Sequence, residues 1–353
     1  MHKLFLTLLK SIPNGILRLT NTMKKVTLLI PCYNEEKSLP QLHAALCAVM
    51  DSLKGYAWEV LLIDDGSRDA TPEVMKQLRE KDPRVAYITL SRNFGKENAM
   101  LAGFDYASGD CVILLDADLQ HPPSLIPAML ERWESGVQDV YARRDVAQES
   151  WLRRRISRLY YKLLNRSTRF DVLENVGDFR LLDRRCVDAL RQLRESQRYT
   201  KGMYVWIGFR KEEIGYQEQQ RAAGQSSFNF RRLADLAIDG LTSYTTAPLR
   251  LSTLIGFICA LLAIFYMLYV FVKTLVVGEP VQGFPTIVIL ILFLGGVQLI
   301  SLGIIGEYLG KVFIETKHRP VYLIDRMEGI HQRPCATETL TSNSAIEVHT
   351  QQG

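Results

Sequence analysis

Acidic side chains cluster at three places in the first third of the chain, each directly after a run of apolar residues. The clusters occupy residues 31–36 (PCYNEE), 64–67 (DDGS) and 116–123 (DADLQHPP). In the third cluster, Asp116 and Asp118 lie two positions apart, and the side-chain amide of Gln120 follows. Carboxylate and amide oxygens suit a hard divalent cation, and such a cation can bridge a diphosphate. We therefore expect a metal site in this cluster, whereas an isolated Asp-x-Asp would indicate only a solvated turn.

The segments that carry these clusters alternate between strand and helix patterns. Unbroken apolar runs predict strands at 26–31, 60–64, 85–90 and 111–115, and helical stretches lie at 39–53, 71–80, 96–107 and 122–134. Apolar strands separated by helices predict an α/β fold with a parallel sheet covered on both faces. Ligands bind at the carboxyl ends of the strands in such sheets, so the acidic clusters should meet at one edge. No glycine-rich phosphate loop follows any of these strands, which argues against dinucleotide oxidoreductases and P-loop enzymes.

Two long stretches near the end of the chain predict a membrane anchor. Residues 251–272 contain no charged side chain, and neither do residues 281–306. A membrane-spanning helix needs about 20 apolar residues, so we expect a hairpin with helices at 251–272 and 285–306. Basic residues flank the hairpin on both sides, namely Arg231, Arg232, Arg250, Lys311, Lys317 and Arg319. The positive-inside rule then predicts that the sheet region and the C-terminus are cytoplasmic.

Residues 151–169 predict a basic amphipathic helix. The segment contains seven basic residues and no acidic one, and its apolar residues fall on one helical face. Such a helix beside a membrane anchor is typical of an interfacial helix on anionic lipid. A helix packed on the domain with a solvated basic face is the alternative. Nucleic acid, the other partner that a basic stripe could bind, does not fit a membrane-anchored chain.

The remaining segments are assigned by composition. Residues 1–22 are basic but lack a small-residue cleavage site, so we interpret them as an N-terminal extension rather than a signal peptide. Residues 311–353 should form a cytoplasmic tail that is disordered after about residue 326, where polar residues dominate. The six cysteines include no C-x-x-C pair and are interpreted as buried reduced thiols, which fits a reducing compartment.

The three acidic clusters and several downstream motifs resemble a known family. VTLLIPCYNEE (26–36), DDGSRDAT (64–71) and DADLQHPP (116–123) resemble the family 2 glycosyltransferases, which have the GT-A fold with a Rossmann-like, mostly parallel sheet. LSRNFGKENAMLAG (90–103), ENVGDFRLLDR (174–184), AGQSSF (223–228) and GIIGEYLG (303–310) are similar to motifs of polyprenyl-phosphate glycosyltransferases. Within that group the bactoprenol glucosyltransferases resemble the chain more than the dolichol-phosphate mannose synthases do. The resemblance covers residues 24–325 and implies a GT-A domain at 23–230, a juxtamembrane helix at 231–250 and a hairpin at 251–310.

The resemblance also implies an activity. It implies inverting transfer of a sugar from a nucleotide-sugar, best UDP-glucose, to undecaprenyl or another polyprenyl phosphate. The enzyme would be a homotetramer, by analogy, and a multi-pass protein of the bacterial inner membrane with a cytoplasmic catalytic domain. Its product would serve as lipid-linked donor for O-antigen or other cell-envelope glycans.

Site residues are carried over from the resemblance position by position. Donor binding is assigned to Pro31, Tyr33, Glu35, Asp64, Asp65, Lys96 and Asp116, with Asp64 and Asp65 on the uridine. A Mg²⁺ or Mn²⁺ ion is assigned to Asp116, Asp118 and Gln120, and the acceptor phosphate to Arg143, Arg154, Arg155, Arg158 and Arg180. The catalytic residues are Asp118 and Asp178, the latter as a general base or a positioning residue. Ser227 stands where many relatives have a lysine, so a phosphate-binding role of that lysine is not carried over.

The acceptor's own chemistry limits what the protein must supply. A phosphate monoester is mostly dianionic at neutral pH, so its oxygen can attack the anomeric carbon without a strong general base. Single displacement inverts the anomeric configuration. Transfer of mannose or a modified aminoarabinose is the alternative within the enzyme class. A non-catalytic membrane scaffold or lipid-translocation partner is the alternative from another class.

Overall fold

A mixed eight-stranded sheet forms the centre of the fold. The structure is a computed structural model that describes residues 23–144, 176–196, 198–216, 247–277 and 283–330. The strands are β1 (Lys25–Cys32), β2 (Ala57–Asp64), β3 (Val85–Leu90), β4 (Cys111–Leu114), β5 (Asp139–Arg144), β6 (Val176–Asp183), β7 (Lys211–Tyr216) and β8 (Ile324–Glu328). Their order across the sheet is β7-β5-β6-β4-β1-β2-β3-β8. The four predicted strands β1 to β4 pair in parallel, which confirms the mostly parallel α/β sheet.

Helices cover both faces of this sheet. They are α1 (Leu39–Ser52), α2 (Thr71–Lys81), α3 (Lys96–Tyr106), α4 (Ile126–Glu134), α5 (Arg184–Gln192) and α6 (Thr200–Trp206). The predicted helix at 122–134 begins with a 3₁₀ turn, Pro123–Leu125, and proline is tolerated there because the first N–H groups of a helix have no intrahelical partner. Successive strand residues point to opposite faces, so Leu28 packs in one apolar layer and Leu29 in the other. Both apolar layers are buried, so the strand residues on both faces are apolar, which explains the unbroken apolar runs.

The edge strand β8 extends past residue 326, about where the disordered tail was predicted to begin, and the prediction of disorder is untested for residues 331–353. Residues 324–328 pair antiparallel with β3, and the Tyr87 hydroxyl donates a hydrogen bond to Glu328 at 2.8 Å. The edge of β3 presents backbone donors and acceptors that need partners, and a polar strand satisfies them as well as an apolar one. Composition alone therefore misread this segment.

Two long apolar helices follow the sheet domain in sequence. They are α7 (Ala247–Val277) and α8 (Phe284–Thr316), and they pack against each other. Within the described residues one segment, Phe293–Thr316, is long and apolar enough to cross a membrane, and Ser252–Tyr266 is a shorter apolar stretch of α7. Both predicted spans are thus helical, while the two-span hairpin stays a prediction. The interfacial helix at 151–169, the extension at 1–22 and residues 331–353 lie outside the described residues, as does most of the juxtamembrane segment.

The end of α8 and the segment after it contact the sheet domain. Glu315 accepts a hydrogen bond from the backbone N–H of Ser196 at 3.0 Å. The Tyr322 hydroxyl donates to Asp105 at 2.6 Å, and Arg194 donates to both oxygens of the same carboxylate at 2.7 Å. Asp105 is buried at the end of α3, so this contact joins the segment after α8 to a helix that begins in the candidate site.

Candidate active site

The loops after β1 and β2 are tied together at the carboxyl edge of the sheet. Asn34 has a positive φ of 57°, and its backbone N–H donates to the Ser67 hydroxyl at 2.9 Å. The backbone N–H of Glu35 donates to the Thr71 hydroxyl at 2.8 Å. Gly66 has φ +67°, and a Cβ there would lie 2.4 Å from the backbone carbon of Arg92. The first two acidic clusters therefore form one rigid unit that also touches the loop after β3.

The two aspartates of the second cluster, Asp64 and Asp65, have different surroundings. Asp64 is fully buried, and one oxygen accepts from the Ser67 N–H at 3.0 Å while Oδ2 has no hydrogen-bond partner among the described residues. Asp65 accepts from the backbone N–H groups of Phe94 at 2.7 Å and Gly95 at 3.0 Å. Both oxygens of Asp65 thus hold the loop that leads into α3. This supporting role was not predicted from the sequence.

The third cluster meets residues from two other elements. The Lys96 ammonium, in the first turn of α3, lies 2.6 Å from Oδ1 of Asp116 and 2.8 Å from Oδ2 of Asp178. Asp178 is on β6, and its side chain is 14% exposed. Burial lowers the pKa of Lys96, but Asp178 and Asp116 raise it by more, so its net pKa is well above the usual value. Burial raises the pKa of Asp178, and Lys96 outweighs this effect and lowers it.

The residues predicted to bind a metal fit a divalent cation. Asp118 Oδ1 accepts from the backbone N–H of Gln120 at 3.1 Å across a tight turn in which Leu119 has φ +62°. A leucine in this left-handed region is strained, which is common at functional sites. Burial raises the pKa of Glu35, the hydrogen bond from Ser38 opposes it, and the negative charges of Asp118 and Asp116 raise it further. The group of oxygens already attracts the Lys96 ammonium, so it can stabilise a positive charge.

His121 supports the metal-ligand loop from behind. Its Nδ1 accepts a hydrogen bond from the backbone N–H of Asp116 at 3.3 Å, and its ring stacks on Phe179 with 4.9 Å between centroids. Burial lowers the pKa of His121, although Asp116 and Asp118 oppose the shift. An Nδ1 that accepts this hydrogen bond leaves Nε2 as the protonated nitrogen of the ring. His121 was not predicted from the sequence to be a site residue, although its place in the motif DADLQHPP was a signal.

Arg180 was predicted to bind the acceptor phosphate, but its side chain is buried. The side chain is 2% exposed, pairs with Asp139 at 3.1 Å and lies 3.6 Å from the ring centroid of Tyr204. It also donates to the carbonyl of Gly177 at 3.4 Å, next to Asp178. A buried guanidinium engaged in this way favours a positioning role for Arg180, and its binding of the acceptor phosphate stays a prediction.

The other predicted residues are distributed around this edge. Arg143 is half-exposed and pairs with Glu213 at 3.1 Å, and the ring of Tyr33 is exposed. Pro31 is in β1, directly before the loop. Arg154, Arg155 and Arg158 lie outside the described residues.

A second group of possible metal ligands lies at the opposite end of the strands. Atoms of His43, Cys47 and Asp82 are all within 4.8 Å of one another. The Arg84 guanidinium already pairs with Asp82 at 2.9 Å and lies 3.4 Å from the sulfur of Cys47. A positive charge thus occupies the group. The five cysteines in the described part of the chain are free; Cys32, Cys111 and Cys186 are buried, as predicted, whereas Cys47 and Cys259 are only partly buried.

Comparison with known proteins identifies two matching family models. The model described as glycosyl transferase family 2 matches residues 27–191, and the one described as GtrB C-terminal hairpin matches residues 247–312. The chain is 42% identical over 301 residues to the bactoprenol glucosyl transferase of Shigella phage SfV, which covers 85% of this chain and 98% of the relative. It is 39% identical over 305 residues to the prophage bactoprenol glucosyl transferase homolog of Escherichia coli K12, covering 86% and 99%.

The chain also resembles a solved structure that is more distant in sequence. Glucosyl-3-phosphoglycerate synthase from Mycobacterium tuberculosis, in complex with Mn²⁺, UDP-glucose and phosphoglyceric acid, is 15% identical with a TM-score of 0.42. The match covers 62% of this chain and 78% of that one. A likeness at this level carries no argument about the site.

Proposed function

Since this chain belongs to glycosyl transferase family 2, we propose that it transfers glucose from UDP-glucose to undecaprenyl phosphate with inversion at the anomeric carbon. The observation that carries the proposal is the 42% identity to a bactoprenol glucosyl transferase over 98% of that relative. The product would be a lipid-linked glucose for modification of cell-envelope glycans.

The donor diphosphate is assigned to the third acidic cluster. Asp116, Asp118 and Gln120 would hold Mg²⁺ or Mn²⁺ there, and their hard oxygen atoms support that assignment. A bound divalent cation neutralises charge on the departing nucleoside diphosphate. Asp64 and the exposed ring of Tyr33 would contact the uridine, with Pro31 and Glu35 beside them. Asp65 would act through the loop that it holds rather than on the donor itself.

Asp178 is assigned a positioning role rather than that of a general base. Its Oδ2 is paired with Lys96 at 2.8 Å. The acceptor phosphate needs no base, because it is mostly dianionic at neutral pH. An ionised Asp178 can instead orient the sugar or the lysine. Arg180, which donates to the neighbouring carbonyl of Gly177, would keep this part of β6 in place.

The acceptor is assigned to the membrane side of the domain. Arg143 is half-exposed and able to exchange its partner Glu213 for a phosphate. Arg154, Arg155 and Arg158 would add further guanidinium groups, whose planar shape suits a phosphate. We propose a two-span hairpin in the bacterial inner membrane with the catalytic domain in the cytoplasm. The match of residues 247–312 to a hairpin model supports this topology, and a homotetramer is proposed by analogy only.

A panel of nucleotide-sugars tests the donor. Membranes that contain the protein are given undecaprenyl phosphate and radiolabelled UDP-glucose, GDP-mannose or a UDP-linked aminoarabinose, and label is counted in the organic phase. We expect label from UDP-glucose only. Label from another donor would replace glucose by that sugar, and no lipid label from any donor would favour a non-catalytic membrane protein.

A further inference from the structure

One ammonium group joins the proposed metal site to the positioning residue on β6. Lys96 Nζ lies 2.6 Å from Asp116 and 2.8 Å from Asp178, and these carboxylates come from the end of β4 and from β6. The lysine begins α3, a third element. Two charge-assisted hydrogen bonds of this length are strong ones, so the contact is a defined part of the site.

The backbone on both sides of Lys96 is fixed. Before it, Phe94 and Gly95 donate to Asp65 at 2.7 and 3.0 Å, and Gly95 has φ +94°. After it, Glu97 accepts hydrogen bonds from the hydroxyl and the backbone N–H of Thr200 on α6. The helix start is therefore tied to β2 and to α6. The lysine is presented to the two carboxylates by the fold rather than by its own flexibility.

The position of the ammonium conflicts with a metal ion on the same carboxylate. Under the proposed function, Asp116 is a metal ligand. Oxygen atoms at hydrogen-bond distance from an ammonium have part of their negative charge neutralised, and a second cation nearby is repelled. A divalent cation that takes Asp116 must therefore weaken or break the Lys96–Asp116 contact. Lys96 retains Asp178 as a partner, and a diphosphate would give it another.

We infer that Lys96 is an internal counter-cation of the metal site, which competes with the divalent cation for Asp116 and is drawn away when a diphosphate binds. This inference rests on the proposed function, because it takes Asp116 as a metal ligand. Its consequence is a coupling between ligands: metal binds weakly alone and more tightly with UDP, because UDP offers Lys96 a new partner. Such a coupling is reciprocal, so metal strengthens UDP binding by the same factor.

Binding of Mn²⁺ to the purified full-length protein tests the inference without any turnover. Free Mn²⁺ is counted by electron paramagnetic resonance, with and without UDP, for the wild type and for Lys96→Met, Lys96→Arg and Lys201→Met. Lys201 is the matched control. Its positive charge also acts on Asp178, but among the described residues Lys201 makes no contact with Asp116. A protein melting curve for each variant verifies that it is folded.

Without UDP, we expect Lys96→Met to bind Mn²⁺ about tenfold more tightly than the wild type. In the wild type the ion must displace a charge-assisted hydrogen bond between Lys96 and Asp116, and the free energy of one such bond corresponds to a factor of about ten. Lys96→Arg and Lys201→Met should stay close to the wild type. The gain in Mn²⁺ affinity on adding UDP should be smaller in Lys96→Met than in the wild type, since this variant has no ammonium that UDP can draw away from Asp116. Unchanged or weaker Mn²⁺ binding by Lys96→Met, or an equal gain in Lys201→Met, would overturn the inference.

A further variant separates this inference from the proposed function. Asp118→Ala should lose Mn²⁺ binding if the third acidic cluster is the metal site. If Asp118→Ala loses Mn²⁺ while Lys96→Met resembles the wild type, the metal site stands and only the role of Lys96 fails. If Asp118→Ala binds Mn²⁺ like the wild type, the metal assignment fails and the inference about Lys96 falls with it.

Discussion

The backbone N–H of Asp116 donates a hydrogen bond to Nδ1 of His121 at 3.3 Å. This bond orients the imidazole ring of His121 and fixes the backbone of a proposed metal ligand. The stacking of His121 on Phe179 connects the same loop to β6, which carries Asp178. Two halves of the site are thus held in register by one buried ring.

Substitution of His121 should weaken catalysis without removing it. His121→Phe keeps a ring for stacking but leaves the Asp116 N–H without an acceptor, which costs about 1–3 kcal/mol. We expect turnover to fall about tenfold and the metal concentration needed for half-activity to rise. His121→Asn, whose side-chain oxygen can replace Nδ1, should recover part of the metal response. Equal metal responses in His121→Phe and the wild type would contradict this role.

Loss of a metal ligand should abolish activity and spare the fold. Asp118 lies at the surface of the sheet edge rather than in an apolar layer, so Asp118→Ala should melt close to the wild type. Its turnover should fall to background, and EDTA should do the same to the wild type, with Mg²⁺ or Mn²⁺ restoring activity. Asp51→Ala, at an exposed helical position, is the matched control and should remain active. Full activity in chelator would refute the metal assignment.

Arg180 and Arg143 should behave in opposite ways. Arg180→Ala leaves the fully buried Asp139 without its partner, which should cost about 3–5 kcal/mol of folding stability. Arg143→Ala removes an exposed pair with Glu213 and should cost less than about 1 kcal/mol. If Arg143 binds the acceptor phosphate, its variant should instead raise the KM for undecaprenyl phosphate. Urea unfolding and acceptor titrations measure the two effects, and a stable Arg180→Ala with a raised acceptor KM would support the original phosphate hypothesis.

The positions of basic residues predict the orientation of the hairpin. In a chain whose native cysteines are replaced, Gly278→Cys should react with a membrane-impermeant thiol reagent in spheroplasts. Ser227→Cys should react only after the membrane is permeabilised. The opposite labelling pattern would place the catalytic domain away from cytoplasmic nucleotide-sugars.

Local patterns in the sequence were sufficient to predict the parallel strands β1 to β4. The run 85–90 forms β3 at the predicted bounds, and α1 ends one residue before its predicted end, because apolar continuity and helical periodicity are local signals. β6 could not be predicted in this way, since its first five residues include Gly177, Asp178 and Arg180 in place of an apolar run. β8 was missed because its stability comes from the edge of β3 rather than from its own composition.

In the candidate site, too, the features encoded by local sequence were predicted, and those that depend on tertiary packing were not. Asp116 and Asp118 were predicted as metal ligands from their spacing, which places both carboxylates at one strand end, and the metal site itself stays a prediction. The contact between Lys96 and Asp178 depends on how α3 and β6 pack, and no short motif encodes that distance. The burial of Arg180 likewise depends on Asp139 of β5, a neighbour only in the folded sheet.

Sugar transfer to a lipid phosphate is tested most directly by following both products of one reaction. Purified protein in detergent is incubated with UDP-[¹⁴C]glucose, undecaprenyl phosphate and Mg²⁺, while released UDP and lipid-bound label are quantified together. We predict one UDP for each glucose in the organic phase, and a β-linked glucose by NMR, since single displacement inverts the α-linked donor. UDP release with the label left in the aqueous phase would contradict transfer to the lipid phosphate, and an α-linked lipid product would contradict inversion.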